Sequence, residues 1–121
     1  MAIPIAEMPV ELAAGDLETR YVEFGEMAIR HARVPAGGDM GPLLQGLPHD
    51  RCPSPHWGMV LEGSITVTHA DGTQETVTAG QVYHWPEGHT GVTEHGVTFL
   101  EVGPVAPMRE FAVNARRILG G

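Results

Sequence analysis

Cysteine is almost missing from this sequence. Cys52 stands alone, so no internal disulfide can form, and the chain fits a reducing compartment. Basic residues are scarce too: seven Lys and Arg face fifteen Asp and Glu, for a net charge of −8. Nucleic-acid binding rests on cationic contacts to phosphate, so this balance argues against a nucleic-acid partner. The same sign disfavours an anionic membrane surface and leaves a small cation or a neutral metabolite as the easier ligand. No apolar run approaches the ~18 residues of a membrane-spanning helix. Residues 1–10 have neither a basic nor an apolar leader segment, so no signal peptide is expected and the expected location is cytoplasmic. Charged residues make up only 18%, below the ~25% of ordinary globular domains.

What the chain has in excess is punctuation. Its 16 Gly and 10 Pro are spread along all 121 residues, which indicates frequent turns rather than disorder. The length fits one domain, large enough to bury roughly two thirds of its unfolded surface. Residues 10–17 suggest a short turn of helix ended by Gly15. From Tyr21 to Val34 strand formers dominate, with Met27, Ile29 and His31 alternating against Ala28, Arg30 and Ala32, a period of two. Residues 35–55 read as loop. The stretch from Trp57 to His69 reads as two short strands divided by Gly63, a bend or bulge. Asp71-Gly72 is the strongest hairpin signal, with Glu75 to Thr78 as its return strand. Gln81 to Trp85 is a strand stopped by Pro86, and residues 90–102 supply two more strands around His95-Gly96. Met108, Phe111, Ala112, Ala115 and Ile118 recur at helical spacing and predict one C-terminal helix packed on the strands. Short strands with no helix between them exclude a parallel βαβ sheet; a sandwich or a barrel remains.

Seven histidines are the conspicuous chemistry. His56 follows a proline-rich loop and opens a strand. His89 sits in a tight Pro86-Glu87-Gly88 turn, and Cys52 lies four residues before His56. A thiolate with two imidazoles is a reasonable ligand set for a divalent metal. Asp50 and His49 lie in the same loop. His84 is a weaker candidate to point inward, and Glu101 to face the site from the last strand. His31, His69 and His95 read as surface or turn residues, while Trp57, Tyr83, Trp85 and Phe99 read as packing.

These residues resemble a family. Cupins carry a first motif of paired histidines, a glutamate, six residues and a glycine. Their second motif is Gly, five residues, Pro, one residue, Gly, two residues, His. Gly80, Pro86 and Gly88 match the second frame, and Gly63 within Val60-Leu61-Glu62-Gly63 matches the glycine of the first. More narrowly, Cys52-Pro53-Ser54-Pro55-His56-Trp57-Gly58 and Pro86-Glu87-Gly88-His89-Thr90 look like a group of small bacterial cupins, mostly of unassigned function. The resemblance covers roughly residues 43–104. It implies an all-β, jelly-roll β-barrel with a short C-terminal helix, in one cupin domain: an N-terminal arm over 1–20, a barrel over 21–104 and the helix over 105–121. By the family frame His56 stands at the usual glutamate, Cys52 and Asp50 at the two histidines, and Gly91 at the last histidine, with His89 two residues earlier. The usual iron or manganese site of three histidines and a glutamate is therefore either rebuilt from Asp50, Cys52, His56 and His89, or lost.

The implied cofactor is one divalent metal ion. A soft Cys52 ligand tilts the choice toward zinc; without it, iron or manganese fits better. The implied partner is a small-molecule ligand or substrate in the barrel mouth, handled by an oxygenase, isomerase or lyase, with Tyr83 or Glu101 as the candidate general acid or base. The alternatives are a non-catalytic metal- or metabolite-sensing barrel, and a barrel that has lost its metal. Pairing into a homodimer, with residues 1–34 as contributors, is also expected from the resemblance.

Overall fold

The computed structural model describes residues 1–120. Its strands are β1 (Val10–Ala14), β2 (Leu17–Phe24), β3 (Met27–Val34), β4 (His56–Thr68), β5 (Gln74–Thr78), β6 (Val82–Trp85), β7 (Thr90–Val92) and β8 (Val97–Pro104), followed by one helix, α1 (Val105–Ile118). All named strand pairs are antiparallel.

β4 organises the molecule. Its first half lies between β8 and β6, in the order β1-β2-β3-β8-β4-β6, and its second half pairs with β5 and β7. The passage from one set of partners to the other falls at Gly63. The register against β8 shifts between Val60 and Glu62, and Gly63 takes a φ of 74°, where a Cβ would collide with the Gly96 carbonyl. A bulge and a glycine bend a continuous strand here. The two short strands read from the sequence are therefore one, turned onto a second sheet.

The N-terminal region departs further from its reading. Residues 10–14 are strand rather than helix, and Gly15 (φ 57°) turns the chain into β2. A second hairpin at Gly25 (φ 66°) separates β2 from β3. The sheet thus begins at Val10 and takes in the segment expected to be an arm. The other strands and the helix lie where the turn signals indicated.

Two apolar clusters fill the interior. One, inside the barrel, gathers Val60, Ile65, Val67, Tyr83, Trp85 and Phe99 with their neighbours. The other lies under the helix, where Phe111 and Ala115 pack on Leu12, Leu43, Leu44, Leu47 and Cys52. Asn114 ties the 43–45 loop to the helix, donating to the carbonyls of Leu43 (2.9 Å) and Gln45 (3.0 Å). The chemistry lies where the two clusters meet.

Candidate metal centre

Three separate pieces of backbone bring Cys52, His56 and His89 together. His56 opens β4 on its inward face, in register with Trp85 of β6. Gly103 makes this approach possible, because a Cβ there would stand 2.7 Å from the Pro55 carbonyl and 3.3 Å from His56 Nδ1. Cys52 is laced to the His89 turn by two backbone bonds: Cys52 N–H donates to His89 O (3.0 Å), and Gly88 N–H to Cys52 O (2.7 Å). The Arg51 guanidinium also reaches the carbonyls of His69 (3.0 Å) and Gly88 (3.3 Å). Gly88 adopts φ 89°, open to glycine at little cost, and so aims His89 inward.

One ligand-capable atom from each of these residues lies within 4.8 Å of the other two, and all three residues are buried. Cys52 Sγ is 3.4 Å from His56 Nε2. The imidazoles meet edge to face at 5.1 Å between centroids. Both rings have an oxygen at Nδ1: the Pro86 carbonyl accepts from His89 Nδ1 at 2.8 Å, and a Glu101 carboxylate oxygen lies 3.6 Å from His56 Nδ1. With the proton on Nδ1, each ring turns the Nε2 lone pair toward the cluster, the tautomer of metal-ligating histidines. The His56 contact is beyond hydrogen-bond distance, so this buried Nδ1 has no partner.

Electrostatics agree with neutral rings. Burial, then the charge of Arg30, pulls His56 down to about 3. Burial, then His56, pulls His89 down to about 4. Burial pushes the Cys52 thiol up to about 12, so with no metal the site holds a thiol and two neutral imidazoles. The donor set fits a borderline-soft divalent ion. An ion there would keep the thiolate charged by displacing its proton.

Behind the histidines lies a charged network that the sequence reading largely missed. Arg30 is 3% exposed. It donates to both oxygens of Glu11 (2.7 and 2.9 Å) and to Glu101 (3.2 Å), and it stacks over Phe111 at 4.9 Å. Tyr83 O–H donates to the second Glu101 oxygen at 3.1 Å. Burial lowers the affinity of Arg30 for its proton, but the bonds and charges of Glu11 and Glu101 outweigh this and raise its pKa. Burial raises that of Glu101 against the pull of Arg30. The tyrosine is raised by burial and then by Glu101. A signal for Arg30 was present: it shares the period-two phase of Ala28, Ala32 and Val34, all buried. Glu11 carried none, because the β1 bulge between Val10 and Leu12 turns Glu11 and Leu12 inward together.

An interior cavity of about 40 Å³ adjoins the cluster, bordered by Cys52, His56, His89, Arg30 and Glu101 and by apolar side chains of both clusters. Trp85 Nε1 and Thr90 Oγ1, on residues that line it, are buried and unpaired.

The other sequence candidates fall outside. Asp50 is exposed and its carboxylate accepts from Gly46 N–H at 3.0 Å; the structure does not bring it to the cluster. His49 is exposed. His84 points outward, stacked on Trp57 at 4.9 Å, and Trp57 is 43% exposed rather than packed inside. Glu101, weakly signalled, faces the site.

No protein-family model and no curated protein matches the sequence. Solved structures do. The polyketide cyclase RemF from Streptomyces resistomycificus superposes with a TM-score of 0.65 at 21% identity, over 86% of this chain and 78% of that one. An RmlC-like cupin from Shewanella frigidimarina gives 0.62 at 21%, over 84% and 86%. Oxalate decarboxylase from Bacillus subtilis gives 0.65 at 20%, over 84% of this chain but only 28% of the enzyme. At these identities the likeness is one of fold: this chain is a cupin-type β-barrel, a jelly roll closed by one C-terminal helix.

Proposed function

We propose that this protein is a metal-binding barrel that binds or transforms a small molecule beside a divalent ion held by Cys52, His56 and His89. The observation that carries the reading is the convergence of three buried donors, with Nδ1 of both rings turned to oxygen. Three protein ligands leave a coordination position open, and such a metal supplies Lewis acidity or an activated water. Charge supports the same reading. Arg30 stands against two carboxylates, a surplus of one negative charge when both are ionised. A dication with a Cys52 thiolate carries one net positive charge and balances it. The thiolate favours zinc, and a buried reduced cysteine suits the cytoplasm.

The cavity limits the ligand. Its volume of about 40 Å³ suits a small ligand rather than an extended one. The unpaired Trp85 N–H favours a ligand with an acceptor, since an unmet buried donor costs ~1–3 kcal/mol. The second reading is a barrel that senses a metal or metabolite without turnover.

Metal content by mass spectrometry on tag-free protein tests the proposal. Near-stoichiometric metal in the wild type, lost in His56→Ala, His89→Ala and Cys52→Ser, is expected. A wild type that holds none after incubation with zinc, iron or manganese would leave a ligand-binding barrel without a metal. Substrate-dependent turnover by the loaded protein separates the enzyme from the sensor.

A further inference from the structure

Among the described residues, three buried side-chain polar atoms have no hydrogen-bond partner: His56 Nδ1, Trp85 Nε1 and Thr90 Oγ1. All three belong to residues that line the one cavity beside the metal cluster. Buried polar groups are ordinarily paired, so such a grouping calls for an explanation. His56 Nδ1 already faces Glu101 at 3.6 Å, which leaves Trp85 and Thr90. Trp85 is 3% exposed and packed among rings: Tyr83 stacks on it at 3.6 Å, Phe99 meets it edge to face at 5.8 Å, and His89 lies tilted at 5.5 Å. An indole N–H only donates, and a hydroxyl has one proton to donate. The acceptors on the same wall are engaged. Glu101 takes Arg30 on one oxygen and Tyr83 on the other, and Thr19 Oγ1 lies between Leu12 N–H and Glu11. The cavity therefore offers donors against an otherwise apolar lining.

We propose that the cavity takes a small uncharged carbonyl compound, a ketone or aldehyde, with Trp85 Nε1–H and Thr90 Oγ1–H as its hydrogen-bond donors. This deepens the reading of a small ligand beside the ion and rests on that reading for the charge balance. A carbonyl oxygen accepts through two lone pairs and has no proton to place, which suits a wall with donors and no free acceptor. Its hydrocarbon part suits Ile65, Val67 and Phe99, which also line the cavity. A pure hydrocarbon would leave both donors unmet. An anion finds no free cation, because Arg30 is held by Glu11, Glu101 and the Met108 carbonyl. With the ion and the Cys52 thiolate in place the charges already cancel, so an anion would add an uncompensated buried charge.

Three probes of similar shape decide it: 2-butanone, its hydrocarbon analogue 2-methyl-1-butene, and the anion propionate. Titrations follow the indole N–H signals of the two tryptophans by NMR, assigned with Trp57→Phe, on metal-free and on zinc-incubated protein. The ketone is expected to move the Trp85 signal saturably and leave that of the outward Trp57 in place. The alkene and propionate are expected to bind about tenfold more weakly, the scale of one lost hydrogen bond. Trp85→Phe, read by saturation transfer to the ketone methyls, is expected to weaken ketone binding by a similar factor. Thr90→Val keeps the indole signal, is expected to weaken the ketone less, and stands in should Trp85→Phe misfold. A ketone that binds no better than the alkene or propionate overturns the proposal. So does a Trp85 signal that no probe moves, which would mean that water alone meets the indole. Zinc uptake is read separately by mass spectrometry. Protein that holds zinc but not the ketone overturns this proposal alone. Protein that binds the ketone through Trp85 yet takes up no metal supports it and overturns the metal reading instead.

Discussion

The two faces of one sheet reverse the usual arrangement. Inward, β3, β4 and β8 present Arg30, His56 and Glu101, all under 5% exposed. Outward, their immediate neighbours Ile29, Trp57, Leu100 and Val102 meet solvent or lie half-buried. The pleat sends successive residues to opposite sides, so one residue of phase separates a charged interior from an apolar exterior. Burying an ion pair rarely stabilises a fold relative to an apolar core of the same shape. Stability alone therefore does not account for the charged inner face; the metal site proposed beside it would.

The comparison breaks most visibly at arginine. Arg30→Met leaves Glu11 and Glu101 buried without their cation, and a loss of ~3–5 kcal/mol in urea unfolding is expected. The same change at Arg33, 60% exposed on the outer face of that strand, is expected within ~0.5 kcal/mol. Equal losses would mean that the two faces are not energetically distinct.

Zinc sharpens it next. At a hundredfold excess over Kd, the ion is expected to stabilise the wild type by ~2.7 kcal/mol. Cys52→Ser and His89→Ala are expected to lose that increment, while Asp50→Asn and Val82→Ser keep it. Calorimetric scans with and without zinc read this directly.

Acid probes the inner face alone. His56 and His89 titrate at about 3 and 4 when folded, below the ~6.5 of an unfolded histidine. The unfolded chain therefore binds more protons between these values. The histidine contribution is full above pH 6.5 and is lost as pH falls toward 4, at up to ~1.4 kcal/mol per pH unit for each ring. Raised Glu101 acts with the opposite sign. Unfolding of metal-free protein from pH 7 to 4 should show the loss, and His89→Gln should reduce its slope. A slope unchanged by that substitution would mean that His89 is not held neutral inside.

A further expected effect lies one contact behind the ligands. Glu101→Gln keeps the shape but replaces the carboxylate facing His56 with a neutral amide, and loss of a group that orients a metal-bound histidine lowers metal affinity ~10–100-fold. Competition with a chelator measures it. Affinity equal to wild type would assign Glu101 to the Arg30 network alone.

Local chemistry made much of the fold legible. Asp71-Gly72, Pro86-Glu87-Gly88 and His95-Gly96 mark turns because their backbones need them, and α1 followed from the spacing of its apolar residues. Residues 10–24 were not legible: Glu11-Leu12-Ala13-Ala14 favours helix by residue type, and it is strand because β2 pairs with it. Cys52, His56 and His89 stood out by residue type and by the turns around them. Asp50 had the right spacing in the family frame, yet its loop turns it to solvent.

Composition and pattern alone determined an all-β chain with a terminal helix, acidic, rich in turns and supplied with residues of metal-ligating type, because these are properties of residue type and short-range spacing. Only tertiary structure decided that Arg30 and Glu101 lie inside while Trp57 lies outside. Alternation divides a strand into two faces without saying which is buried. That choice depends on the bend at Gly63, the bulge at β1 and the helix over Phe111, which bring together side chains up to ninety residues apart, from Glu11 to Glu101.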